Sequence, residues 1–212
     1  MAYDLEEQEQ VAIIKDWWEK YGTLVITAVV ALVVGVAGIQ GWRYYSTHQS
    51  SSAATLYAQL DTAEKSSEAK KVQDIAAALS SSHAGTPYAG MAALRAAKTF
   101  AEGNDLANAK QRLQWVIDNA KQEEMRDIAR LRLAGVLLDE KNFAEALKLL
   151  DAKHVAAYDG LYADLKGDIL AVQGRRDEAR AAYQIALEKS EVAGSYRQLL
   201  QIKLDALGEA HK

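Results

Sequence analysis

An almost unbroken run of apolar residues lies near the N-terminus, from Tyr21 to Trp42, and its 22 positions hold no charged side chain. As an α-helix this run is about 33 Å long, enough to cross the roughly 30 Å hydrocarbon layer of a bilayer. Aromatic residues, which prefer the headgroup zone, flank it on both sides. They are Trp17 and Trp18 before the run and Tyr44 and Tyr45 after it. The pattern predicts a transmembrane helix, because a buried helix of a soluble domain normally carries a polar stripe.

This apolar run is predicted to remain as a signal anchor. A cleaved signal peptide has a basic leader and small residues directly after its apolar core. Here the first 20 residues carry six acidic and two basic side chains, and bulky residues fill the segment 41–45. The expected organisation is a short tail at 1–20, the anchor at 21–42, a juxtamembrane linker at 43–52 and one domain at 53–212. The polar part of the linker, residues 46–52, is either an extended connection or a frayed helix.

The flanking charges bear on orientation only weakly. Two lysines and the amino terminus precede the anchor, whereas Arg43 alone follows it closely. This difference favours a cytoplasmic N-terminus and leaves the opposite orientation open.

Small residues recur along one face of the anchor, at spacings of four, four and three. They are Thr27, Ala31, Gly35 and Gly38. Such a face lets a neighbouring membrane helix approach closely, and it is the candidate packing face of the anchor. Since membrane helices are generally rich in Gly and Ala, composition alone is an equally good explanation.

Beyond the anchor, apolar residues recur at helical spacing and predict a first helical hairpin. Its two helices carry Leu56, Leu60 and Ala63, and then Val72, Ile75, Ala76 and Leu79. After a turn at 80–85, Thr86 and Pro87 predict the start of the next helix, with Thr86 as the N-cap and Pro87 at the first helical position.

A repeated pattern follows, aligned on Ala109, Ala146 and Ala179, which are 37 and 33 residues apart. Small residues stand twelve positions before these alanines, where they let paired helices approach closely. Apolar residues stand nine positions before and four after, and Gly or Asn falls at each intervening turn. The small residues are Ala97, Ala134 and Gly167; the apolar ones are Phe100, Leu137 and Leu170, then Leu113, Leu150 and Tyr183; the turns are Gly103-Asn104, Lys141-Asn142 and Gly174-Arg175.

The period of this pattern resembles that of tetratricopeptide repeats (TPRs), which is about 34 residues. A last amphipathic helix around Tyr196, Leu200 and Leu204 resembles the cap that such arrays need at an open end. The predicted fold class is therefore all-α: a single N-terminal transmembrane helix followed by a TPR-like solenoid of helical hairpins. The single proline and two phenylalanines of the chain fit this fold.

Composition and charge exclude several classes of function. The net charge is −4, and subtracting the tail's two basic and six acidic residues from totals of 25 and 29 leaves 23 of each downstream. A neutral domain argues against nucleic-acid binding, which needs a basic surplus. The absence of cysteine excludes disulfides, zinc fingers and a thiol nucleophile.

No catalytic, cofactor-binding or metal-binding residues are predicted, and an enzyme is not expected. Four histidines stand at positions 48, 83, 154 and 211, and none is three or four residues from another. Asp164 and Asp168 share a helix face, as an acid/base pair would, but nothing convergent accompanies them. An anchored hydrolase therefore lacks candidate residues.

Residues around the anchor are similar to the YfgM family, the ancillary subunits of the SecYEG translocon in Gram-negative bacteria. The resemblance rests on Val11-x2-Ile14-Lys15-x-Trp17-Trp18-x2-Tyr21-Gly22, the single anchor, and Gly41-Trp42-Arg43-Tyr44-Tyr45. It implies an inner-membrane protein with a cytoplasmic N-terminus and a periplasmic repeat domain. It also implies two partners, the SecYEG translocon and PpiD, a membrane-anchored periplasmic chaperone. The implied roles are transfer of emerging exported polypeptides to chaperones and restraint of an envelope-stress response regulator.

A candidate partner groove follows from mapping the usual TPR groove positions onto the repeat alignment. It consists of Leu94, Lys98, Leu131, Gly135, Asp164 and Asp168. The alternative is that the leucines pack between helices and the charges serve solubility. The resulting hypothesis is a non-enzymatic adaptor beside the Sec translocon, and the alternative is a generic TPR scaffold of another envelope complex.

Overall fold

The computed structural model describes residues 3–66, 68–190 and 194–208, with side chains from residue 10 onward. These ranges contain α-helices, one short 3-10 turn at Ala156–Tyr158, and no β-strand. The helices are α1 (Tyr3–Lys65), α2 (Ala69–Ser82), α3 (Pro87–Glu102), α4 (Leu106–Asn119), α5 (Glu123–Asp139), α6 (Phe143–Leu150), α7 (Asp159–Val172), α8 (Arg176–Lys189) and α9 (Ser195–Ala206). The predicted all-α class is confirmed.

The chain divides into two compact units between Gln49 and Ser50. This boundary lies inside the juxtamembrane segment 43–52, which is helical throughout and belongs to α1, so of the two predicted alternatives the helix describes residues 46–52. No Pro or Gly interrupts residues 43–52, so the weak helix formers there continue the helix instead of ending it.

The first unit consists of the N-terminal part of α1, whose apolar side chains lie on the surface. Leu24 is 68% exposed and Val34 65% exposed. By length and composition α1 can cross a membrane, and only 6% of its most apolar window is buried. Apolar surface of this extent is unfavourable in water and favourable in lipid, which agrees with the predicted anchor.

The second unit is a stack of helical hairpins. The C-terminal part of α1 shares a buried core with α2 and α3. Further along, α3 packs with α4, α5 with α6, and α7 with α8, while α9 lies against α8. The core has three parts: one spans α1 to α4, the next α3 to α7, and the last α7 to α9. Both helices of the predicted first hairpin bury their apolar face, including Leu60 and Leu79 at 0% exposure.

The turn inside each repeat has the same geometry. Asn104, Lys141 and Gly174 adopt left-handed backbone, with φ of 57°, 61° and 76°. In each turn the next amide donates back to an apolar residue of the preceding helix, a bond that ends helices in a Schellman motif. These bonds are Asp105 N to Phe100 O at 2.8 Å, Asn142 N to Leu137 O at 2.8 Å, and Arg175 N to Leu170 O at 2.9 Å. The predicted turns are therefore confirmed, although Lys141 takes the left-handed position beside Asn142.

The helices α7 and α8 approach each other closely at Gly167. A Cβ added there would lie 2.5 Å from two ring carbons of Tyr183, so α7 and α8 meet in this way only with glycine at the position. Its counterparts Ala97 and Ala134 are also buried. The prediction that these three positions are small because helices touch there agrees with the packing.

Asp127 is a buried carboxylate, 1% exposed, that ties α5 to the connection between α6 and α7. It accepts hydrogen bonds from Arg130 Nη1 at 2.6 Å and from the backbone amide of Val155 at 2.9 Å. The hydroxyl of Tyr162 donates to the backbone carbonyl of Asp127 at 3.1 Å. Burial, together with the Asp127 charge, raises the pKa of Tyr162 to about 12.

Candidate functional site

Two of the predicted groove residues line one open cavity between α3, α4 and α5. Lys98 and Gly135 lie on its wall, and the cavity has a volume of about 400 Å³. The rest of the lining is mostly small or apolar, with two further charged side chains. These residues are Ala97, Ala101, Ala109, Leu113, Val136, Arg132 and Asp139. We call this feature the α3–α5 cavity.

The α3–α5 cavity exists because small side chains face it. An added Cβ at Gly135 would meet no atom within 4 Å, so this glycine borders empty space. Ala97 and Ala109 form buried parts of the wall, and neither fills the space in front of Gly135. The opening is therefore a consequence of residue size along α3 and α5.

The two predicted groove leucines belong to the core. Leu94 is 8% exposed and lies in the central cluster, and Leu131 is half-buried against the same cluster. Arg132 crosses from α5 to α3, where its Nη1 donates to the Leu94 carbonyl at 3.3 Å. Leu94 therefore packs between helices, which is the alternative to a groove position.

Asp164 and Asp168, the two groove residues predicted on α7, are bound by the chain itself. Lys203 of α9 places its Nζ 2.7 Å from Asp164 Oδ1 and 2.8 Å from Asp168 Oδ1. The hydroxyl of Tyr196 donates to Asp164 at 3.1 Å, and that of Tyr183 donates to Asp168 at 2.8 Å. We call Asp164 and Asp168 the α7 carboxylate pair.

The pKa values of the groups around the α7 carboxylate pair are shifted by burial and by neighbouring charges. Desolvation and the neighbouring carboxylates raise the pKa of Tyr183 and of Tyr196 above the ordinary value. Desolvation by itself would lower the pKa of Lys203, but its hydrogen bonds to the α7 carboxylate pair raise it overall. The lysine is therefore held charged and both phenols neutral, an arrangement that suits a structural ion pair with no proton to exchange near neutral pH.

A second charged cluster joins the end of α1 to α3. Arg95 donates to Glu64, to Asp61 at 3.1 Å, and to the Tyr57 hydroxyl at 3.3 Å. The hydrogen bond that Arg95 donates to Glu64 is the main reason that the pKa of Arg95 is raised. Beside this cluster lies a more polar cavity of about 470 Å³, and Lys98 lines it as well as the α3–α5 cavity.

The four small residues of the anchor all lie on the surface of α1. An added Cβ at Gly35 or Gly38 would meet no atom within 4 Å. The hydroxyl of Thr27 is bound internally, donating to the Thr23 carbonyl at 2.7 Å. Elsewhere in the described ranges, no group of three or more His, Asp or Glu side chains is placed to hold a metal ion.

Comparison with known proteins covers both units of the chain. The model of the tetratricopeptide repeat-like domain family matches residues 15–209. The chain is 31% identical to the ancillary SecYEG translocon subunit of Haemophilus influenzae, over 98% of this chain and 100% of the relative. It is 32% identical to the protein of the same name in Neisseria gonorrhoeae, over 98% and 100%, and 30% identical to that of Escherichia coli K12, over 95% and 96%.

The chain belongs to the ancillary SecYEG translocon subunit family. The alignments run along nearly the whole of each relative. They therefore include both the apolar helix and the repeat hairpins of this chain. The TPR-like resemblance inferred from the repeat pattern is confirmed by the family match.

Sequence reasoning missed two features of this family member. Arg132 was not singled out, although it stands three residues before Gly135 on the same face of α5. Lys203 of the cap helix was not singled out either, although Tyr196 and Lys203 are seven residues apart and so share a helix face. That spacing was the available signal that α9 presents polar groups together with its apolar contacts.

Proposed function

We propose that this protein is a non-enzymatic, membrane-anchored adaptor of the Sec translocon. The observation that carries this proposal is full-length similarity to proteins named ancillary SecYEG translocon subunits. The architecture supports it, since one helix suited to a membrane precedes a TPR-like domain. Repeat arrays of this kind offer extended surfaces for partner proteins.

The topology that we propose is a single-pass inner-membrane protein. Residues 1–20 form a cytoplasmic tail, 21–42 the anchor, 43–52 a juxtamembrane segment and 53–212 a periplasmic domain. The lysines before the anchor support this orientation, as does the family resemblance around Trp17 and Trp42.

Two surfaces serve partners in this proposal. On the anchor, Thr27, Ala31, Gly35 and Gly38 pack against helices of the translocon, supported by the empty space in front of both glycines. In the repeat domain, the groove binds a PpiD-like chaperone or an emerging exported polypeptide. The open α3–α5 cavity supports this second surface. In the same proposal, the cytoplasmic tail restrains an envelope-stress response regulator.

Co-purification tests the membrane surface. Replacing Gly35 and Gly38 together with Leu should reduce recovery of SecYEG with the full-length protein in mild detergent, while membrane insertion stays normal. The matched control is Val33→Leu with Ala37→Leu, which adds bulk on the opposite face of the same helix. If wild-type protein at native abundance recovers neither the translocon nor a PpiD-like chaperone, the adaptor function is wrong and a generic envelope scaffold replaces it.

A further inference from the structure

The α3–α5 cavity opens to the surface and has the volume of a small ligand pocket. Its volume of about 400 Å³ falls in the range of about 300–1,000 Å³ found for ligand pockets. Alanine, leucine and valine form most of its wall, and the charged residues that border it, Lys98, Arg132 and Asp139, are exposed. An apolar group that enters the cavity thus has charged groups beside it.

The glycine at its centre has no packing reason to be glycine. Gly167 and Gly90 are different, because an added Cβ would lie 2.5 Å from the Tyr183 ring and 2.9 Å from the Met125 sulfur, respectively. At Gly135 the Cβ would meet no atom within 4 Å, and φ is not in the left-handed region. Glycine inside a helix lowers helix stability relative to alanine. With glycine at this position, no side chain from residue 135 occupies the cavity.

Two cations, Lys98 and Arg132, and one anion, Asp139, border the cavity, so its border is net positive. One of the five N–H donors of Arg132 is used on the Leu94 carbonyl, which holds the guanidinium at the α3–α5 boundary. In the described ranges Arg132 forms no ion pair with a carboxylate, whereas Lys98 is shared with Glu102 at 3.6 Å. The remaining donors suit a carboxylate, which a guanidinium can bind through two parallel hydrogen bonds.

The equivalent position in the next repeat does not border an empty cavity. The repeat alignment places Asp168 where α5 has Gly135, and Asp168 is bound by Lys203 and Tyr183. The groove therefore offers an empty apolar space at α5, whereas at α7 the carboxylates are already bound by Lys203 and by tyrosine hydroxyls. Of these two repeats, the one that contains α5 therefore has space for a side chain of a partner.

We propose that the α3–α5 cavity is an anchor socket for a polypeptide segment in which a large apolar side chain lies next to an acidic residue. The apolar side chain fills the space in front of Gly135, and Arg132 binds the neighbouring carboxylate. This inference rests on the proposed adaptor function and names the chemistry of the segment that the groove selects.

The test uses the full-length protein in lipid nanodiscs and fluorescently labelled synthetic peptides, followed by fluorescence anisotropy. Three peptides share one Gly/Ser scaffold and carry Phe-Glu, Phe-Gln or Ala-Glu at the centre. The Phe-Glu peptide should bind at least about tenfold more tightly than Ala-Glu, because burying an aromatic ring contributes that much affinity. Arg132→Gln should bring the Phe-Glu peptide to the affinity of Phe-Gln.

Two substitutions at one position provide the matched pair. Gly135→Leu fills the cavity and should abolish the preference for Phe, whereas Gly135→Ala leaves most of the volume and should keep it. Thermal unfolding followed by circular dichroism checks that both variants are folded. The socket is wrong if the Phe-Glu peptide does not bind the wild-type protein, or if Gly135→Leu binds it unchanged.

Translocon co-purification, measured on the same variants, separates the two proposals. If SecYEG is recovered normally while no peptide preference exists, the socket fails and the adaptor function stands. If SecYEG is not recovered with any variant or with wild type, the adaptor function fails whatever the peptides do.

Discussion

Gly135 in α5 and Asp168 in α7 occupy the same position of successive repeats, and their surroundings are opposite. Gly135 borders the empty α3–α5 cavity, while Asp168 is bound by Lys203 of α9 and by Tyr183 of α8. One repeat period thus produces an open surface in one place and a self-occupied surface in another. The difference depends on which residue the repeat position holds and on whether a later helix reaches it.

Gly135 and Gly167 show the same difference between an open and an occupied surface. Gly135 lies in front of empty space, and Gly167, in the following repeat, lies directly against the Tyr183 ring. Glycine at the first position keeps a cavity open, and glycine at the second lets two helices touch. Substitutions at these positions should therefore change stability in opposite directions.

The largest effect is expected at Gly167. Gly167→Ala forces the Tyr183 ring to move and disturbs its hydrogen bond to Asp168, so the free energy of unfolding should fall by about 2–3 kcal/mol. Chemical denaturation of the purified full-length protein measures this value. A variant as stable as wild type would show that α7 and α8 are not packed as closely as described.

Removing the lysine of the α7 cluster should have the next largest effect. Lys203→Met leaves the α7 carboxylate pair without its cation, at a cost of about 1–2 kcal/mol, because both carboxylates are largely buried. The control is Lys166→Met, which removes an exposed pair with Asp151 and should change stability little. Equal effects of the two substitutions would contradict a special role for the α7 cluster.

Alkaline pH should weaken the α7 cluster. The folded-state pKa values of Tyr183, Tyr196 and Lys203 are all raised, so the folded protein holds these protons more tightly than the unfolded chain does. The corresponding stability is present below the ordinary pKa of about 10 and is lost as pH rises above it, at up to about 1.4 kcal/mol per pH unit for each group.

Denaturation midpoints measured from pH 8 to about pH 11.5 check this dependence. Tyr196→Phe should flatten the decline above about pH 10 relative to wild type. A decline that is identical in the variant would assign the pH dependence to groups outside the cluster.

The smallest effect is expected at Gly135. Gly135→Ala adds a methyl group in empty space and removes a helix-weakening glycine, so the free energy of unfolding should rise by about 0.5–1 kcal/mol. The same denaturation measurement that tests Gly167→Ala tests this variant, and it serves as the matched control for that larger effect. Destabilisation at Gly135 would mean that the cavity is smaller than described.

The sequence was sufficient for features that depend on local patterns. The apolar run predicted the membrane-suited helix, and the repeat alignment predicted all three turns and the close approach at Gly167. These follow from hydrophobic period, residue size and backbone conformation, which neighbouring residues determine. For residues 46–52 the polar sequence left a linker and a frayed helix as alternatives, and without Pro or Gly this segment continues the helix.

The candidate groove was harder to predict, because its state depends on contacts between distant residues. Lys203 lies 39 residues from Asp164 in sequence, and no periodic pattern indicates that the two side chains are in contact. Leu94 occupies a groove position of the repeat pattern, yet it is buried by the neighbouring hairpin. A repeat pattern identifies which positions face the groove, and only the packed structure shows which of them stay open.

Site-specific photo-crosslinking in living cells tests the central claim most directly. A photoreactive amino acid replaces Leu24, which is exposed on the same face of the anchor as Gly35, and Lys98, which is exposed on the wall of the α3–α5 cavity. Ala37 and the exposed Gln184 are the control positions, and the protein is expressed at native abundance. The account predicts cross-links to a SecYEG subunit from position 24, and to a periplasmic chaperone or an exported polypeptide from position 98. Cross-links that are equally strong from the control positions, or the absence of translocon and chaperone products from both test positions, would contradict it.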